Sequence, residues 1–263
     1  MGGERTGLER LRLEVDRIDG QIVELLAARM QVVADIAATK RAADDRGPVI
    51  RPAREAQLLR RLVEQARGKL PAVTIVRMWR ELLAASVQSQ APLAVATFVG
   101  VADLAREHFG AATPIEVEPS PAAALAALRS GRVQLAVVPE PDSDEPWWCP
   151  LARDPAGVHL LARLPFAANG PSRPAWVLGH LATEPSGDDL TVLALVTRAD
   201  GSWRSAVPIL ASMEDEPGEL VQLVTVDGFL AADDPALPAM GPGVLRMSRI
   251  GSYARPLSAA LLG

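Results

Sequence analysis

Residues 8–42 place apolar side chains at Leu8, Leu11, Val15, Ile18, Ile22, Leu25, Leu26, Val32, Val33 and Ile36, and the only breaker among them is Gly20. Intervals of three and four residues match the α-helical repeat, so the spacing predicts one helix of roughly 30 residues or more. It ends at the turn DDRGPVI. Proline at a first helical position then marks a second helix, from about Pro52 to Arg67, and GKLPAV separates it from a third, about Ala72 to Gln90. A globular helix averages about 11–12 residues. Two short helices cannot cover a partner of that length, so the pattern predicts that another chain does. Gly20 costs about 1 kcal/mol relative to alanine in such a helix, which packing must offset.

The polar residues of these helices fall into register. Arg29 and Lys40 are 11 residues apart, nearly three turns, and therefore differ by only about 20° around the axis. Arg12 lies 17 residues before Arg29, about 100° away and about 25 Å along the helix, too far to reach the same ligand from the same chain. Ser86 and Gln90 stand at i and i+4 on the third helix and point the same way. The second helix opens with Arg51 and Arg54 where the backbone is already positive, and only Glu55 follows the usual preference for acids.

Charge and proline content divide the chain. Residues 1–90 hold 16 Lys+Arg against 12 Asp+Glu, and the remaining 173 hold 11 against 20. Three of the 22 prolines precede residue 91. The expected domains are therefore 1–91 and 92–263. With 49% hydrophobic and 22% charged residues, both can build cores. The small, interspersed basic surplus suits a small anion and not nucleic acid. Cys149 is the single cysteine, which fits a reducing compartment. No secretory leader and no apolar run long enough for a bilayer is visible, so the expectation is a cytoplasmic protein without a membrane partner.

The series LERLRLEVDRIDGQIVELLAARMQVVADIAATK, then PVIRPARE, then WRELLAASVQSQ, resembles the helical class of chorismate mutases over residues 8–91. The resemblance implies an all-α, three-helix domain forming an intertwined homodimer, each active site receiving one arginine from the partner. It implies chorismate as the substrate and prephenate as the product, with no cofactor and no metal. By resemblance Lys40 and Gln90 donate to the ether oxygen, Glu55 holds the ring hydroxyl, and Arg29 grips a carboxylate. Arg12 of the partner subunit, Arg54 and Ser86 complete substrate binding. Arg51 departs from the family, which often has an Asp there to assist with the hydroxyl.

Residues 92–263 alternate short strands and helices. Strands are expected at 93–99, 114–118, 133–139, 158–164, 175–181, 190–198, 220–230 and 244–254, with helices in ADLAREHFG and SPAAALAALRSG. This predicts an α/β domain. Its beginning, FVGVADLAREHFG through AVVPEPDSDEPWW, resembles the first lobe of a prephenate dehydratase, DDLTVLALV is similar to that family's Thr-Arg-Phe segment, and RMSRIGSYARPL is similar to the end of its regulatory domain. The resemblance implies an aromatic amino acid as a candidate effector. The departures are Val192-Leu193 after Thr191, Glu140-Pro141 after Val138-Pro139, and a missing lobe between Leu164 and Ala175. They point to a degenerate dehydratase-like domain with a truncated regulatory end. The alternatives are a bifunctional mutase–dehydratase and a non-catalytic, mutase-like regulatory subunit. His108, His159 and His180 lack metal-ligand spacing, Cys149 beside Trp147-Trp148 reads as packing, and EDEPGEL reads as a solvated acidic turn.

Overall fold

The computed structural model describes residues 2–44, 48–142, 144–168, 173–201, 203, 205–231, 234 and 243–258, with side chains from Gly7 onward. Three helices come first: α1 (Gly2–Ala42), α2 (Pro52–Ala66) and α3 (Ala72–Gln88). The 41 residues of α1 make a rod about 60 Å long. No helix among the described residues is long and apolar enough to cross a membrane.

The rest is α/β: β1 (Val95–Phe98), α4 (Ala102–Phe109), β2 (Ile115–Glu118), α5 (Pro121–Arg129), β3 (Leu135–Pro139), α6 (Cys149–Arg153), β4 (His159–Leu164), β5 (Ala175–Gly179), β6 (Asp189–Arg198), β7 (Ile209–Glu216), β8 (Glu219–Asp227) and β9 (Val244–Ala254). The nine strands form one sheet in the order β2-β1-β3-β5-β4-β9-β6-β8-β7. β1 pairs in parallel with both β2 and β3, which requires the crossover helices α4 and α5. The four strands β9, β6, β8 and β7 pair antiparallel. The two halves meet at β4 and β9 through the single register pair Leu160–Gly251. Local chemistry explains the start of α5. Ser120 caps α5 by accepting from the Ala123 N–H at 3.1 Å, and Pro121 follows it.

Two of the sequence expectations change. EDEPGEL is exposed and turns at 217–218, as a solvated acidic turn does, but its flanks are strands: β7 runs through Glu216, Gly218 turns at φ +79°, and β8 begins at Glu219. Its acids grip Arg153, through Asp215, through Glu216 at 3.4 Å and through Glu219 at 3.3 Å. The short helix α6 was also unforeseen. It buries Cys149, whose thiol burial pushes up to about 11, in keeping with a packing role.

The chain forms two compact units, one of Met1–Val49 with Ser89–Ala91, the other of Ile50–Gln88 with Pro92–Gly263. In the second, α2 and α3 bury Ala56, Leu59, Val63, Ile75 and Val76 against Phe166 and Leu257. In the first, α1 leaves Leu8, Leu11, Val15, Ile18, Ile22, Leu25, Val32 and Ile36 between 42% and 71% exposed.

Candidate functional site

The first compact unit holds Arg12, Arg29, Lys40 and Gln90, and the second holds Arg54, Glu55 and Ser86. Arg12 is exposed, while Arg29 and Lys40 are half-buried and lie nearly in line on α1. Ser86 is buried, and its hydroxyl donates to the Leu82 carbonyl of its own helix at 2.6 Å. Arg54 is exposed on the first turn of α2.

Arg51 stands at the N-cap of α2 without capping it, and its guanidinium pairs with Glu184 at 3.0 Å. Both side chains are about half exposed, so the pair is worth at most about 1 kcal/mol. The crowding of arginines at this helix start thus has a partner within the chain. About two and a half turns further on, Arg60 donates to the Ser186 carbonyl and hydroxyl at 3.2 and 3.0 Å, the Asp188 carbonyl at 2.7 Å and the Arg255 carbonyl at 3.0 Å. Asp189 holds that loop in shape by accepting from the Ser186 and Gly187 N–H groups and from the Ser186 hydroxyl at 2.6 Å.

Glu55 is the most enclosed of the charged residues in the set. Its Oε2 accepts from Arg80 Nη1 at 2.7 Å, and the two side chains are only 15% and 7% exposed. Burial pulls the Arg80 pKa down, although the Glu55 charge opposes the shift. Breaking such a pair from one side costs about 3–5 kcal/mol. The guanidinium of Arg80 lies 5.9 Å from the Phe166 ring centre, as does that of Arg60. His108, on α4, has its pKa pulled well below the ordinary histidine range by burial and by the Arg80 charge. A cavity of about 20 Å³ is lined by Ile50, Pro52, Glu55, Leu83, His108 and Leu135, among others. Sequence reasoning passed over Arg60 and Arg80, because an arginine with partners 25 to 195 residues away looks in sequence like any other helical arginine.

Residues 11–91 match the family model described as chorismate mutase type II. The N-terminal third of the chain carries a chorismate mutase domain. The chain is similar to the bifunctional chorismate mutase/prephenate dehydratase of Pseudomonas aeruginosa, 32% identical over 151 residues, covering 52% of this chain and 40% of that protein. It is also similar to the enzyme of the same name from Stutzerimonas stutzeri, 30% identical over 155 residues, covering 54% of this chain and 41% of that one. These matches span about two fifths of the relatives' length and more than half of this chain, so they run beyond the mutase segment into the α/β part. The solved structure of prephenate dehydratase from Streptococcus mutans aligns with a TM-score of 0.44 at 16% identity, over 62% of this chain and 98% of that chain.

In the α/β part, the residues that the dehydratase resemblance singled out have local partners. Thr191 is fully buried; its hydroxyl donates to the Gly228 carbonyl at 2.7 Å and accepts from the Leu230 N–H at 2.9 Å. Val192 and Leu193, in place of Arg-Phe, are core residues. Glu140 accepts from Arg163 at 2.6 and 3.0 Å.

Proposed function

We propose that the protein is a chorismate mutase, rearranging chorismate to prephenate in the cytoplasm on the route to phenylalanine and tyrosine. The observation that carries the reading is that the chorismate mutase match covers residues 11–91, the stretch that contains all seven polar residues assigned from the sequence. The working unit is the 1–91 segment in a homodimer. The apolar stripe of α1, at 8, 11, 15, 18, 22, 25, 32 and 36, keeps an alternating spacing of three and four residues, and Arg29 fills the gap between 25 and 32. A second copy covering the stripe in antiparallel orientation would bring its own Arg12 toward the end of α1 that carries Arg29 and Lys40.

The chemistry needs fixed cations and donors and no nucleophile. The dianion must be held in a compact conformer while negative charge grows on the ether oxygen. Arg29 and Arg12 of the partner subunit hold the carboxylates, with Arg54 and Ser86 beside them. Lys40 and Gln90 donate to the ether oxygen. Glu55 accepts from the ring hydroxyl. Gln90 is neutral and donates at any pH, so acid is not required.

The second activity in the relatives' name is not proposed for this chain. The departures Val192-Leu193 and Glu140-Pro141 from the family pattern support that reading, and the Thr191 hydroxyl is bonded to the 228–230 segment. The α/β part is read as a degenerate dehydratase-like domain with a scaffolding or regulatory role, and an aromatic amino acid is the candidate effector. Purified protein incubated with chorismate, with and without phenylalanine or tyrosine, should accumulate prephenate. Phenylpyruvate formed without acid would establish the bifunctional alternative, and no turnover would refute the mutase reading. Lys40→Ala and Gln90→Ala should each lower kcat by about 10²–10³-fold.

A further inference from the structure

We propose that Arg80 is the positioning residue of the mutase site, holding Glu55 in the orientation that accepts the substrate hydroxyl; this rests on the function proposed above. A carboxylate enclosed to this degree needs a cation or several donors to remain charged, and Arg80 supplies one charge-assisted bond at 2.7 Å to Oε2. That bond anchors one carboxylate oxygen, so the acceptor is restrained before the substrate arrives.

Arg80 is itself held from two sides. Its backbone belongs to α3, and its guanidinium packs against Phe166, whose carbonyl accepts from the Leu257 N–H at 2.8 Å just beyond β9. The orientation of Glu55 thus depends on a side chain of the α/β part. Burial of Arg80 at 6% exposure excludes the ordinary role of a helical arginine as a solvated surface charge. Arg51 cannot substitute for it, since its guanidinium is engaged by Glu184.

The test is a double-mutant cycle in the full-length chain, reading kcat and KM for chorismate together with the thermal unfolding midpoint. A hydroxyl contact made equally in ground and transition states appears in KM. Glu55→Gln and Arg80→Gln should therefore each raise KM by about 10–100-fold with kcat nearly unchanged, the range for a hydrogen bond to a charged group. The double variant should be no worse in KM than Glu55→Gln alone. Arg80→Lys keeps the charge and loses the planar fork, and it should restore part of the KM while unfolding near the parent temperature. Arg80 acting only on stability would leave KM normal in the folded fraction, or its KM effect would add to that of Glu55→Gln, and either result overturns the inference. If Arg80→Gln does not fold, Arg80→Lys and Phe166→Leu decide: an unchanged KM in both overturns it. A parent chain without turnover refutes the mutase reading and this inference with it, whereas an active parent with unaffected variants refutes this inference alone.

Discussion

Replacing Ile18 and Ile22 with aspartate tests whether the stripe of α1 is an interface. Each isoleucine is 42% exposed in the single chain. Fully burying such a side chain is worth about 1.5–3 kcal/mol, so the exposed part represents about 0.6–1.3 kcal/mol. Two residues in each of two chains give about 2.5–5 kcal/mol, or a dimer weakened by about 10²–10⁴ in Kd. Burying four carboxylates adds to that penalty. The second unit has a core of its own, where α2 and α3 pack on Phe166 and Leu257, so that unit should stay folded. Sedimentation velocity over a micromolar concentration series should show a dimer for the parent and a monomer for the double variant. Turnover of chorismate should fall with dimer fraction, because each site lacks its borrowed arginine in the monomer. A variant that sediments as the parent does, or a monomeric parent with full activity, would refute the reasoning.

Two further perturbations probe the second unit. A Cβ on Gly251 would stand 2.3 Å from the Leu160 carbonyl oxygen at the one register pair joining the halves of the sheet, so Gly251→Ala should destabilise by about 3 kcal/mol, read by urea unfolding. The His108 pKa is lower in the folded protein than in the unfolded chain, so the unfolded state binds more protons as pH falls. The stability it contributes is present in full above about pH 6.5 and declines below that, by at most about 1.4 kcal/mol per pH unit. Thermal midpoints from pH 7.5 to 5 should fall less steeply for His108→Gln than for the parent.

Much of this architecture could be read from residue spacing, for reasons that also explain what could not. The long apolar repeat of α1 and the Pro52 signal for α2 are local, and strands such as β3 and β6 announce themselves because nearly every residue in them is buried. β7 escaped because it is an edge strand with only Ala211 buried, which leaves no alternation to detect. The candidate site divides in the same way. Arg29, Lys40 and Glu55 stand out by helical phase and by motif. Arg60 and Arg80 acquire meaning only through the 186–188 loop, Arg255 and Glu55, contacts that no short-range pattern encodes. Arg51 departs from the family pattern, and its partner Glu184 lies 133 residues away, beyond the reach of any local motif.

The central claim is that cations from two copies of the chain surround one dianion, and subunit mixing tests it most directly. Chains carrying Arg12→Ala and chains carrying Lys40→Ala, each inactive alone, are unfolded together, refolded and assayed with chorismate. The account predicts that mixed dimers regain part of the parent turnover, since one of their two sites then has both groups intact. Mixed dimers demonstrated by mass yet devoid of turnover, beside a fully active parent, would contradict it.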